Sequence, residues 1–106
     1  MIREAAMLYV KEGLEGEFEE AFRRAEPIIA GMKGYLSHSL SKCMEKTHKY
    51  LLLVEWETLE DHTKGFRGSP DYQEWKALLH RFYSPFPVVE HFEDLSDSDR
   101  VKRKTD

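Results

Sequence analysis

The chain has 106 residues, 41% of them hydrophobic, and a net charge of −4. That length supports one two-layer core and little else, because a domain of this size buries roughly 60 to 70% of its unfolded surface. The acidic balance gives no footprint for nucleic acid, and no apolar run approaches the ~20 residues of a membrane span.

The opening stretch MIREAAMLYVKEG carries charge within its first four residues and lacks the long apolar centre of a secretory signal. Alternation sets in at once: Ile2, Ala6, Leu8 and Val10 stand against Arg3, Ala5, Met7, Tyr9 and Lys11. This predicts a first strand, with Glu4 as an acidic exception on its apolar face. After Gly13 the spacing changes. Leu14, Phe18, Ala21, Phe22, Ala25, Ile28, Ile29 and Met32 recur every three or four positions, which predicts a helix, and EGEFEE gives it an acidic first turn. Pro27 lacks the N–H that would bond back to Arg23, so a kink or break is expected there. Gly31 and Gly34 close the helix.

YLSHSLSKCMEK predicts a second, weakly alternating strand, and YLLLVEWE a third with the strongest strand pattern in the chain. In the third, Tyr50, Leu52, Val54 and Trp56 share one face while Leu51 and Leu53 take the other. TLED follows, where Thr58 can cap a short helix and Asp61 can answer as its acidic third residue; the helix should stop near Gly65 or Gly68. Ser69 and Pro70 then begin another, a capping hydroxyl followed by a proline in the first turn. Its stripe is Tyr72, Trp75, Leu78, Leu79 and Phe82. Pro85 and Pro87 end it, and VVEHFE predicts a fourth strand. Residues 1–94 therefore read as one domain. Residues 95–106 hold only two aliphatic side chains and read as a disordered charged tail.

The order β-α-β-β-α-β is ferredoxin-like, an α+β fold with an antiparallel sheet and helices on one face. Strands one and three are apolar on both sides, so the face without helices needs another cover, which predicts a homodimer formed sheet against sheet. The single cysteine, Cys43, precludes an internal disulfide and suits a reducing cytoplasm.

Five histidines, His38, His48, His62, His80 and His91, are scattered. None pairs at the short, face-matching spacing that ligating histidines need, so no metal site is expected. There is no G-x-S-x-G elbow, and Cys43 sits in a strand with no helix N-terminus to activate it. GMKG and GFRGS lack the strand-turn-helix context of a phosphate loop, so neither flavin nor nicotinamide is implied. The aromatic set is the unusual feature. Core filling accounts for any one of its members, but together they carry more ring volume than one small interface packs beside its Leu and Val. A ring-lined cavity between sheet and helices is predicted, shaped for a small flat aromatic molecule, with Trp56, Phe66, Tyr72, Trp75, Phe82 and Tyr83 as wall residues. His62, His80 and His38 are the candidate acids or bases, each also readable as a solvated or core histidine. Residues 80–93, HRFYSPFPVVEHFE, read as a seam between helix and strand first and a pocket wall second, with His91 structural or interfacial.

The segment YLLLVEWETLEDHTKGFRGSPDYQEW, followed by LLHRFYSPFPVVEHFE, resembles the antibiotic biosynthesis monooxygenase family. Shared features are a strand ending in Trp56, a short helix, the Ser69–Pro70 helix start and a last strand bearing Glu90 and His91. The resemblance implies a dimeric α+β barrel with a pocket in each subunit. For some members it also implies oxygenation of polycyclic quinol-type substrates without metal, flavin or haem. Two departures stand out. Many members carry a histidine three residues before the serine of the second helix start, where this chain has Phe66. A haem-degrading branch uses an asparagine on the first strand and a helical histidine; this chain has no asparagine, and Trp75 stands near the ligand position. Haem degradation is therefore not expected. Three readings remain: a cofactor-independent monooxygenase acting on a small aromatic or quinol-like molecule, a non-catalytic small-molecule-binding or regulatory dimer on the same fold, or haem or metal binding through the scattered histidines.

Overall fold

Side-chain alternation over the first ten residues produces strand β1 (Ile2–Tyr9), and the three- and four-residue spacing after it produces helix α1 (Glu15–Ala30). The structure, a computed structural model, describes residues 1–96. The tail expected from residue 95 lies, from residue 97 onward, outside the described residues. Strands β2 (Tyr35–Lys42) and β3 (Lys49–Trp56) come next, then a π-helical segment (Asp61–Phe66), helix α2 (Pro70–Leu79), a 3-10 turn (His80–Phe82) and strand β4 (Val89–Phe92). The order is the expected β-α-β-β-α-β.

The strands form one sheet in the order β2-β3-β1-β4, and every neighbouring pair is antiparallel. The register sets Glu4 opposite Val54 on one side and opposite His91 on the other. Both helices cover the same face. Tyr50, Leu52, Val54 and Trp56 of β3 are buried there with Ala6 and Leu8 of β1, against Phe18, Phe22, Ala25 and Ile29 of α1 and Trp75 and Leu79 of α2. Each large apolar side chain taken out of water contributes about 1.5–3 kcal/mol before the entropy of ordering it is charged. The opposite face carries Ala5, Met7, Leu51 and Leu53, half-buried, with Tyr9 and Phe92 exposed.

Local signals explain the element ends. The backbone N–H of Asp61 donates to the Thr58 hydroxyl at 3.2 Å, and that of Tyr72 donates to the Ser69 hydroxyl at 3.2 Å, so both predicted caps form. Gly34 turns the chain from α1 into β2 with φ +83°, a left-handed backbone that side chains resist. Pro27 differs from expectation, because α1 runs through it without a break. Its ring faces solvent while Ala25 and Ile29, on the buried stripe, hold the last turn against the sheet. The packing of that stripe outweighs one lost backbone bond.

Candidate functional site

Glu4 lies on the core face of β1, where the alternation calls for an apolar side chain, and it is 7% exposed. A buried carboxylate must find donors. The indole Nε1–H of Trp56 donates to Glu4 Oε1 at 3.0 Å, and His62 Nε2 lies 3.3 Å from the same oxygen. The other ring nitrogen of His62, Nδ1, is 2.8 Å from Nε2 of His91. The π-helical segment delivers His62 into this position. It is 2% exposed and stacks on Trp56 with ring centroids 5.5 Å apart. β4 supplies His91 through its pairing with β1.

Electrostatics follow from burial. Glu4 is held above the ordinary carboxylate range by desolvation, opposed by the Trp56 hydrogen bond and the positive charge of Arg67. His62 is pushed down to about 3, chiefly by burial, with Arg67 and His91 adding to the effect. It is therefore neutral near pH 7, and its 3.3 Å approach to Glu4 is that of an uncharged ring rather than an ion pair. His91 is also lowered, by burial and then by Arg67.

Glu4 and His62 form part of the wall of a cavity of about 390 Å³ between the sheet and the helices. Ala6, Leu8 and Leu52 give it an apolar floor, and Phe22 and Ile29 of α1 close one side. Phe66, Tyr72 and Trp75 form the ring wall; they touch one another edge to face, at 5.2 Å between Phe66 and Tyr72 and 5.7 Å between Phe66 and Trp75, and still border open volume. Tyr83 and His80 complete the wall from the end of α2, and Arg67 adds a cation. Burial lowers the basicity of His80, with Lys76 contributing, and raises the Tyr83 hydroxyl above its usual range. The volume and the few converging polar groups suit a small, flat, mostly apolar ligand.

The predicted site residues are not all brought together. Phe66, Tyr72, Trp75, Tyr83, His62 and His80 share the cavity. Trp56 is fully buried behind the wall, hydrogen-bonded to Glu4 and packed against the rings of His62 and Phe66. Phe82 is fully buried against Phe18, 5.9 Å between centroids, and does not reach the wall. His38 lines a different hollow, between α1 and β2, where its two nitrogens bond Glu26 at 2.6 Å and the Tyr35 hydroxyl at 2.5 Å. It faces the helices, as its place two residues before Leu40 on the strand predicts, but Glu26 of α1 offers it an acceptor in this second hollow. Among the described residues no group of three or more His, Cys, Asp or Glu side chains converges to hold a metal ion. Glu4 and Arg67 line the cavity without being among the residues the sequence singles out for it, and His91, expected to be structural or interfacial, bonds His62. The signal for Glu4 was present: it is the one acid interrupting an apolar strand face.

The geometry can be set beside known proteins. The family model described as antibiotic biosynthesis monooxygenase matches residues 1–78. The chain belongs to the antibiotic biosynthesis monooxygenase family. It is 81% identical over 95 residues to the uncharacterized protein YczJ of Bacillus subtilis, covering 90% of this chain and all of that one. Among solved structures it resembles a Bordetella bronchiseptica protein described as a candidate member of the family. There the identity is 33% and the TM-score 0.86, over 90% of this chain and 97% of that one. SnoaB, a cofactor-independent oxygenase from Streptomyces nogalater, shares the fold at TM-score 0.79 and 18% identity, over 91% and 94% of the two chains. The family match spans Glu4, Trp56, His62 and the ring wall through Trp75, and ends before His80, Tyr83 and His91. No described helix is long and apolar enough to cross a membrane.

Proposed function

We propose that this protein is a cofactor-independent monooxygenase that oxygenates a small hydroxylated aromatic or quinol-like molecule in the cavity. The observation that carries the reading is a ring-walled cavity ending on a buried carboxylate and a neutral histidine, in a chain of a monooxygenase family. The SnoaB likeness supports the absence of a cofactor from the proposed reaction. Phe66, Tyr72, Trp75 and Tyr83 sandwich the ring, Trp56 fixes Glu4 from behind, and Glu4, His62 and His80 are the polar groups that meet a bound hydroxyl.

The chemistry needs little from the protein beyond placement and exclusion of water. Loss of the hydroxyl proton makes the ring electron-rich. The anion passes one electron to dioxygen, and the resulting ring radical and superoxide join at a ring carbon. The hydroperoxide then loses water to leave a carbonyl. A ring CH2 that becomes C=O gives up four electrons, which reduce both oxygen atoms, one kept in the product and one leaving as water. No external reductant is required. Dioxygen uptake with anthrone-like compounds tests this: uptake above the protein-free rate supports it, and binding without uptake counts against it.

The same reading includes a cytoplasmic homodimer in which the outer sheet face, with Met7, Leu51 and Leu53, is covered by a second copy. Light scattering at micromolar concentration decides this, since a monomer contradicts it. The low basicity of His62 favours a second reading, a ligand-binding or regulatory dimer without turnover. Calorimetry paired with product analysis separates the two: the ligand is recovered unchanged under the second and converted under the first.

A further inference from the structure

Glu4, His62 and His91 come from three separate elements, yet their polar atoms make one line. Glu4 Oε1 is 3.3 Å from His62 Nε2, and His62 Nδ1 is 2.8 Å from His91 Nε2. Glu4 and His62 line the cavity. His91 does not; it sits half-buried on β4, the edge strand. The line thus runs from the interior of the cavity to the rim of the sheet.

We propose that Glu4, His62 and His91 form a proton relay joining the cavity to solvent at the edge of the sheet, serving a ligand with an ionisable hydroxyl. The ligand class rests on the reading of the cavity given above; the relay itself rests on the three side chains. Two proton arrangements fit the distances. In one, Glu4 is protonated and donates to His62 Nε2, His62 Nδ1–H donates to His91 Nε2, and His91 Nδ1 holds the third proton. In the other, Glu4 is ionised and accepts from His62 Nε2–H, while His62 Nδ1 accepts from His91 Nε2–H. Moving each proton one place converts the first into the second and hands one proton from His91 Nδ1 to water. No imidazolium need form at His62, the group that burial makes hardest to charge. The ionised Glu4 can then take the hydroxyl proton of a bound ligand. The ligand O–H bond breaks, a Glu4 O–H bond forms, and the negative charge passes to the ligand oxygen inside a cavity that Arg67 also lines.

The other groups around the line do not interrupt it. Trp56 of β3 donates to Glu4 and keeps its proton, and Arg67, just past the π-helical segment, biases Glu4 toward the ionised form. Tyr72 of α2, His80 and Tyr83 also line the cavity, and α1 contributes only Phe22 and Ile29. A merely structural chain of hydrogen bonds would satisfy the buried acid equally well, so the test must follow protons.

Nitrogen NMR of the ligand-free protein across a pH series reads the tautomers directly. His62 and His91 should exchange tautomers together at one midpoint, and Glu4→Gln should abolish the exchange. Either ring keeping a single tautomer throughout, or the two changing independently, overturns the relay whatever the outcome of the oxygenation assay. With a chromogenic phenol bound under argon, a pH jump gives a second readout. His91→Gln keeps a hydrogen bond to His62 but cannot pass a proton, so ionisation of the bound phenol should slow roughly 100-fold with its equilibrium position unchanged. An unchanged rate overturns the proposal. A phenol that does not bind counts against the assigned ligand class, and the ligand-free titration then decides the relay alone.

Discussion

Trp56 and Glu4 depend on each other. The indole N–H is the neutral donor that makes a buried carboxylate tolerable, and removing it leaves an acceptor short of a partner. Trp56→Phe should therefore destabilise the fold through both the lost hydrogen bond and the lost ring volume, by about 2–4 kcal/mol in chemical denaturation. Restoring stability by adding Glu4→Gln to that variant would show the carboxylate to be the source of the penalty. His62 carries a pH signature of its own. Its affinity for protons falls from 6.5 in the ordinary state to about 3 when folded, so below 6.5 the unfolded chain binds more protons and stability drops as pH falls toward 3. The slope is of order 1.4 kcal/mol per pH unit. Glu4 works in the opposite sense, since its raised value gives stability that is present in acid and lost as pH rises through it. The clean observable is thus a difference: wild type should lose stability relative to His62→Gln as pH is lowered from 6.5. Parallel curves would mean that His62 is not buried neutral.

At the scale of elements, most boundaries were legible because their causes are local. Ser69 and Pro70 announce the start of α2 whatever the rest of the chain does, and the strict alternation of Tyr50, Leu52, Val54 and Trp56 leaves β3 no other orientation. Ser69→Ala should cost about 1 kcal/mol by removing the hydroxyl that accepts from Tyr72 N–H. Gly34→Ala should cost more than the ~1–2 kcal/mol of a left-handed backbone, because the new methyl would also collide with the Asp61 carboxylate. A midpoint shift no larger for Gly34→Ala than for Ser69→Ala would contradict this. What sequence reading could not supply was long-range. Glu4 was visibly out of place on its strand, but its partners lie 52 and 58 positions away, and only the sheet register and the π-helical winding bring Trp56 and His62 to it. His91 was hidden for the same reason: its role comes from pairing with β1, not from neighbours in sequence. His38 went astray because strand alternation gave its side but not the Glu26 acceptor waiting on α1. Pro27 misled in the other direction, since a local rule lost to the packing of Ala25 and Ile29.

The whole molecule divides its labour between the two faces of one sheet. The helical face encloses the cavity, while the other presents Ala5, Met7, Leu51 and Leu53 without a helix above them. If a second copy covers that face, Leu53→Arg should give a monomer by light scattering while leaving the ring-walled cavity folded; a dimer of unchanged affinity would place the contact elsewhere. The central claim, however, concerns the cavity: its rings hold a flat hydroxylated molecule and its polar end makes that molecule reactive to dioxygen. Isotopically labelled dioxygen with an anthrone-like substrate tests this most directly, by mass spectrometry of the product. One labelled oxygen in the new carbonyl, lost on Glu4→Gln, is the expected result. A bound substrate recovered without label would contradict the account.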